Sequence, residues 1–246
     1  LTITRTNGTG GPLKISWEII EYTGAASGNN EFIVRSAETV SFTSSDTTKD
    51  SATISGVVTN DDVVVFVTGV NSSGGSGRRE TEEFQLTTEY ISASNVARLT
   101  RGSTVNGFVD PTIAVVEFTG SNWSAQRIVH TYSASATNET ESITTLGSLS
   151  KAFIHHQSRI SQSNAGSDGL GQLAWINSTS QLTFYRQDIG AGSVGVAWVI
   201  ENTQATGAVM NVTQYSGTRA NGVGSDPDIF TQAVSAVSAL AQSSIM

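Results

Sequence analysis

The chain repeats itself, and this internal repetition constrains its fold more than any other feature of the sequence. The stretch that begins at residue 1 aligns with the stretch that begins at residue 182, so that Leu1 matches Leu182 and Trp17 matches Trp198. A third copy lies between them, around residues 97–120. One arginine position recurs in all three copies at intervals of 96 and 85 residues. Such spacing predicts a chain built from modules.

Short apolar runs within each period predict strands, because they are rich in β-branched and aromatic residues. Turn-forming residues separate these runs at 59–62, 71–77, 109–111 and 119–122. Six to eight such strands in roughly 90 residues predict an all-β fold of tandem β-sandwich modules, either jelly-roll or immunoglobulin-like. The predicted strands around the second copy are Ala52–Val58, Val63–Val70, Glu83–Ile91, Val96–Thr100, Ile113–Phe118 and Arg127–Tyr132.

The repeat also predicts where the modules divide. Residues 38–134 and 135–217 are expected to be complete modules. Residues 1–37 are expected to be the C-terminal strands of a partial module, and residues 218–246 the N-terminal strands of another. Partial modules would expose unpaired strand edges, so either flanking sequence or a neighbouring copy that adds a strand is expected to complete them.

The charge of the chain argues against nucleic acid as a partner. Among 246 residues, 13 Lys and Arg stand against 21 Asp and Glu, which gives a net charge of −8. A negative chain lacks the electrostatic attraction on which binding to phosphate backbones depends. No apolar run approaches the roughly 20 residues of a membrane span, so no membrane span is predicted.

One glutamate, Glu117, stands inside an apolar Val-Val-Glu-Phe strand, which in isolation suggests a catalytic carboxylate. Glu21 and Glu201 occupy the same position in the other copies, and each glutamate follows an arginine by 15 or 16 residues. Two strands joined by a loop of about ten residues would place each arginine beside its glutamate. The spacing therefore predicts structural pairs and no enzyme activity. The pairs are Arg5–Glu21, Arg101–Glu117 and Arg186–Glu201.

The histidines do not predict a metal site, and the sequence predicts no cofactor. His155 and His156 are adjacent, and adjacent residues of a strand point to opposite faces of a sheet. His130 lies in a different predicted strand. Cysteine is absent, which also removes thiolate ligands and disulfides.

Two of the four tryptophans are candidates for glycan contact. Trp17 and Trp198 occupy a repeated position and are expected in the core. Trp123 and Trp175 lie near predicted turns, where an exposed aromatic ring can contact a sugar.

The segment VVEFTGSNWSAQRIVH, residues 115–130, resembles repeated β-modules of large structural proteins of tailed-phage virions and related bacterial surface proteins. The resemblance covers about 25 residues per period. The chain departs from the V-V-E-F…V-Q-R pattern at 125–128, where it reads Ala-Gln-Arg-Ile. The resemblance implies a structural role and assigns no function to single residues.

Together these observations predict an extracellular structural protein, most simply a component of a virion surface, tail or fibre. Its expected partners are copies of itself or other structural proteins of the same assembly. The alternative is a bacterial cell-surface adhesin or donor-strand filament subunit that binds a glycan or protein receptor. A polysaccharide-active enzyme is the second alternative.

Overall fold

A computed structural model describes residues 21–73, 85–102, 108–133, 135–160, 172–186, 192–205 and 212. The chain divides into two compact units. One comprises residues 1–23 and 215–246, of which 21–23 are described, and the other comprises residues 24–214. Among the residues described, none forms a helix long and apolar enough to cross a membrane.

The described part of the second unit is all-β, as the sequence predicts, with a single 3-10 turn at Leu149–Lys151. All strand pairs are antiparallel. The strands are β1 (Ile33–Thr39), β2 (Thr48–Asp50), β3 (Val63–Ser73), β4 (Leu86–Ile91), β5 (Val96–Arg101), β6 (Phe108–Glu117), β7 (Trp123–Thr131), β8 (Asn138–Ser142), β9 (Ala152–Ile160), β10 (Gln172–Ser178), β11 (Gln181–Arg186) and β12 (Ser193–Asn202).

These strands form four three-stranded sheets whose orders repeat. Sheet A has the order β1-β6-β3 and sheet B the order β2-β5-β4. Sheet C has the order β7-β12-β9 and sheet D the order β8-β11-β10. Adding six to each strand number converts sheets A and B into sheets C and D. The repetition seen in the sequence is therefore present in the strand order as well.

Three apolar clusters lie between the sheets. The first joins sheets A and B through side chains such as Val65 and Leu99. The second joins sheets C and D through side chains such as Phe184 and Val199. The third joins sheets A and C, so it links the first six strands to the last six. The buried residues of this third cluster are Val64, Val116, Phe118, Val196, Trp198 and Ile200.

The predicted strand Ala52–Val58 is wrong, because this segment crosses between sheets as irregular backbone. Gly56 adopts a φ of +76°, a conformation that glycine reaches without steric cost and that breaks an extended strand. The Val58 amide is bound by the side chain of Glu117 and is not part of a sheet. The segment still buries Ile54, which explains its strand-like apolar pattern.

The predicted turn at 109–111 is also wrong, because these residues lie inside β6, the central strand of sheet A. Proline is usually excluded from central strands because it has no N–H to donate. The carbonyl of Pro111 accepts a hydrogen bond from Val40, the residue that follows the last residue of β1. Pro111 therefore faces the β1 side of β6, and its missing N–H coincides with the end of β1 at Thr39, beyond which the pairing resumes as a bridge between Phe42 and Val109.

Candidate functional site

Glu117 is fully buried at the end of β6 and is held by four hydrogen bonds. Its Oε1 accepts from the backbone amides of Val58 at 2.7 Å and Thr59 at 2.5 Å, and from the Thr59 hydroxyl at 3.0 Å. Its Oε2 accepts from Nε of Arg35 at 2.6 Å. The carboxylate thus fastens the loop at 58–59 to the end of sheet A.

These bonds decide the protonation of Glu117. Burial by itself would raise the pKa of the carboxyl, but the donors from Thr59, Val58 and Arg35 outweigh burial and lower the pKa below its ordinary value of 4.5. A general acid or base at neutral pH needs the opposite shift, towards neutrality. The structure therefore gives Glu117 the electrostatics of a fixed structural anion.

Glu201 repeats this arrangement at the end of β12. Its Oε1 accepts from the backbone amides of Gly147 at 2.7 Å and Ser148 at 3.1 Å. The loop at 147–148 precedes β9 just as the loop at 58–59 precedes β3. The two glutamates therefore have one role, which is to bind the loop before the third strand of each set.

Arg101 and Arg186 form a second matched pair, at the ends of β5 and β11. Nε of Arg101 donates to the carbonyl of Asp46 at 2.5 Å, and its Nη2 donates to the carbonyl of Thr43 at 2.7 Å. Its guanidinium also lies 5.2 Å from the ring centre of Phe42. The cation thereby holds the loop at 43–47 in place.

Arg186 makes the equivalent contacts in the second set of strands. Its Nε donates to the carbonyl of Ala136 at 3.0 Å, and its Nη2 donates to the carbonyl of Ser133. Its guanidinium lies 5.2 Å from the ring centre of Tyr132. Both buried arginines thus satisfy carbonyl groups of the loop that joins the first two strands of their set.

Arg101, Glu117, Arg186 and Glu201 thus each bind a loop, and the predicted pairs Arg101–Glu117 and Arg186–Glu201 are not formed. Glu117 takes Arg35 as its cationic partner, and Arg101 binds backbone carbonyls. Arg101 stacks on Phe42, which pairs with Val109 near the start of β6, whereas Glu117 ends that strand. At about 3.3 Å per residue, Val109 and Glu117 are roughly 26 Å apart along β6.

The same separation holds in the second set, where Arg186 contacts the loop at 133–137 and Glu201 the loop at 147–148. In the first copy of the repeat, Arg5 lies outside the described residues. Glu21 is described, and it is exposed and outside any strand.

Sequence reasoning missed Arg35, the true partner of Glu117. Arg35 lies at an irregularity of β1, where the pairing with β6 skips from Val34 to Ser36. An extra residue at such a bulge changes the direction of a side chain, and a sequence pattern with a period of two does not reveal it. The other donors to Glu117 are mostly backbone amides, which every residue type except proline carries.

His155 and His156 point to opposite sides of sheet C, as predicted. The ring of His155 lies 4.8 Å from that of Phe66 in sheet A, and the ring of His156 lies 6.1 Å from that of Phe184 in sheet D. Burial lowers the pKa of each imidazole to about 4. Both rings are therefore neutral at physiological pH.

His130 lies in β7 and joins sheets C and D. Its Nδ1 is 2.9 Å from a carboxylate oxygen of Glu141, and its Nε2 is 3.2 Å from one of Glu139. The ring is buried and stacks on Phe184 at 4.9 Å. Across the described ranges, no three His, Asp or Glu side chains are arranged to hold a metal ion.

The structure places the two candidate glycan contacts differently. Trp123 is partly buried, lies 5.0 Å from Phe118 and packs against the apolar cluster between sheets A and C. Trp175 lies on β10 and is 38% exposed. Trp198 is buried in the cluster between sheets A and C, as the sequence predicts for the repeated tryptophan, and its counterpart Trp17 lies outside the described residues.

Comparisons with protein-family models, with curated proteins and with solved structures give no significant match to this chain.

Proposed function

We propose that this chain is part of an extracellular structural protein, such as a virion component, and that it consists of tandem β-sandwich modules that act through packing and assembly. The first proposed module comprises β1–β6, with sheets A and B as its two layers. The second comprises β7–β12, with sheets C and D. This division places the boundary at 118–122 and not at 134–135, because β7 pairs with β12 along nine residues.

The observation that carries the proposal is the matched use of buried charge in the two modules. Arg101 and Arg186 each donate hydrogen bonds to backbone carbonyls of the loop that joins the first two strands of their module. Glu117 and Glu201 each accept hydrogen bonds from backbone amides of the loop that precedes the third strand. Charged side chains that bind the backbone at matched positions of both modules stabilise an architecture. A catalytic role would more naturally belong to one copy.

The contact between the modules supports a rigid array. Besides the apolar cluster that joins sheets A and C, a buried glutamine of β9, Gln157, reaches into the first module. Its Nε2 donates to the carbonyl of Val65 at 2.8 Å, and its Oε1 accepts from the amide and hydroxyl of Thr88, each at 2.8 Å. A buried polar group with all these partners fixes the relative placement of two modules more specifically than apolar contact alone.

The proposal is tested by sedimentation velocity and negative-stain microscopy of the protein as its source produces it, together with hydrolysis assays on a polysaccharide panel. Regular oligomers or fibres without hydrolysis are expected. A monomer at all concentrations that hydrolyses a polysaccharide, and loses this activity in Glu117→Gln, would overturn the proposal.

The neighbouring genes provide an independent test of the virion context. Genes for capsid or tail proteins are expected beside this one. A sorting signal or signal peptide in the full-length gene would instead indicate a bacterial surface protein built from the same modules.

A further inference from the structure

We infer that the outer face of sheet D is a binding surface for a neutral oligosaccharide. This face is the side of β8, β11 and β10 that points away from the apolar cluster between sheets C and D. Ile176, Leu182 and Phe184 lie in that cluster, so the residues alternating with them point outward. The inference goes beyond the proposed structural role, because it assigns a ligand to one module.

The face carries apolar side chains among uncharged polar ones. Leu173 is 59% exposed and Trp175 is 38% exposed, both on β10. Across the sheet, Trp175 is in register with Thr183, and Thr183 is in register with Thr140. Neighbouring strands lie about 4.8 Å apart, so the indole ring of Trp175 and the exposed Thr140 stand roughly 10 Å apart in one row, with Thr183 between them at 7% exposure.

A second row lies beside the first. Leu173 is in register with Tyr185, and Tyr185 is in register with Asn138. Thr140 and Asn138 are exposed. The two rows together offer aromatic rings, an aliphatic group, hydroxyls and an amide within the span of one or two sugar rings.

The equivalent face of sheet B shows that this composition is specific to sheet D. The row that corresponds to Trp175, Thr183 and Thr140 is Glu89, Arg98 and Asp50. Arg98 and Asp50 form a two-point ion pair, with N–O distances of 2.8 and 2.9 Å. Two modules that share their buried contacts thus differ on their outer faces, with charges on one and an aromatic platform on the other.

The chemistry of the face selects the ligand. A pyranose presents a C–H face that can lie on an aromatic ring, and hydroxyls that both donate and accept hydrogen bonds, as threonine and asparagine side chains do. None of the six outward residues named above carries a cation that could pair with a sulfate or carboxylate. The chain's charge of −8 also repels anionic polysaccharides. A neutral sugar therefore complements this face.

A second protein copy fits the face less well. Stable protein interfaces have a fully buried apolar centre and bury well over a thousand Å². The two exposed apolar side chains of this face, Leu173 and Trp175, are a small group surrounded by hydroxyls. Self-association through the face is nevertheless a distinct outcome of the test.

The test is an NMR titration of the indole N–H resonances with cellohexaose, mannohexaose and chitohexaose, with heparin and alginate oligosaccharides as anionic controls. At least one neutral hexasaccharide is expected to shift the Trp175 resonance. Trp175→Ala should weaken this binding roughly tenfold or more, since the aromatic platform is lost. The matched control is Val129→Ala, which removes an exposed apolar side chain from sheet C and should leave binding unchanged.

A second variant keeps the test decisive if Trp175→Ala fails to fold. Thr140→Asp places on sheet D the residue that sheet B carries at the same position, and it should weaken neutral-sugar binding without changing the melting temperature. The inference is overturned if no neutral hexasaccharide shifts Trp175, or if binding survives Trp175→Ala. It is equally overturned if anionic oligosaccharides bind as well as neutral ones, or if Trp175→Ala abolishes self-association in place of sugar binding. These results leave the assembly tests of the structural proposal unaffected.

Discussion

Replacing Glu117 by glutamine should destabilise the fold by about 2–3 kcal/mol, although the side chain keeps its shape. An amide has one oxygen and one NH₂ group. If the oxygen continues to accept from Val58 and Thr59, the NH₂ group faces Nε of Arg35, donor against donor. The variant therefore loses a charge-assisted bond of 2.6 Å and leaves a cation without its acceptor.

The loss of stability in Glu117→Gln depends on how well water can solvate the guanidinium of Arg35 once its acceptor is gone. Loss of a hydrogen bond to a charged group costs about 1.5–3 kcal/mol, and breaking a fully buried ion pair costs about 3–5 kcal/mol. The side chain of Arg35 is 17% exposed, so water reaches part of it and the cost falls below the fully buried limit. For a unit of this size, the melting temperature should drop by about 5–10 °C.

Glu201→Gln is the matched control, because Glu201 accepts from two backbone amides and from no cation in the described contacts. A glutamine oxygen can accept both bonds, so the expected loss is about 1 kcal/mol or less. Urea denaturation followed by circular dichroism measures both variants. Equal losses in the two variants would refute the assigned role of Arg35.

The pH dependence of the stability of Glu117→Gln, compared with that of wild type, is a second test of the bond between Glu117 and Arg35. Folding lowers the pKa of Glu117, so the folded chain holds this proton less tightly than the unfolded chain. Stability from the carboxylate is then fully present above the ordinary pKa of 4.5 and is lost as the pH falls through the lowered value. The difference between wild type and Glu117→Gln should shrink below pH 4.5, and a constant difference down to the acid limit would contradict the assignment.

Three further predictions concern other parts of the molecule. Arg101→Ala and Glu117→Ala should destabilise additively, within about 0.5 kcal/mol in a double-mutant cycle, because the two side chains hold different loops. The NMR titration of His155 should have its midpoint near pH 4, and since this pKa lies below the ordinary 6.5, the stability that the neutral ring contributes should decline as the pH falls below 6.5. Gly120→Ala should lower the melting temperature markedly, because an added Cβ would lie 2.3 Å from a backbone carbonyl oxygen, whereas Gly69→Ala, with nothing within 4 Å, should leave it nearly unchanged.

Much of the strand pattern could be predicted from the sequence, because apolar β-branched runs such as Val63–Val70 must bury one or both faces. The same logic failed at 52–58, where Ile54 is buried without a sheet, and at Pro111, which a central strand tolerates where its neighbour ends. Both failures depend on what lies beside the segment, which a sequence pattern does not contain.

For the candidate site residues, too, the sequence predicted one part and the contacts between distant segments decided the rest. The repetition of Arg101, Glu117, Arg186 and Glu201 within apolar strands predicts a structural role. A charged side chain that is buried in a strand needs a partner that compensates for the loss of water. The identity of the partners depended on loops that return to the strand ends from 50 to 59 residues away, and on a bulge that turns Arg35 towards Glu117. Backbone amides carry no signal in the sequence.

The sequence by itself determined that the chain is repetitive, all-β and negatively charged, since these properties follow from residue type and spacing. The tertiary structure decided which buried charges meet which groups, and that Trp123 packs inward while Trp175 faces outward. It also separated the outer faces of sheets B and D into a charged and an aromatic surface. The physical reason is that strand register and sheet order, and not distance along the chain, set which side chains share a face.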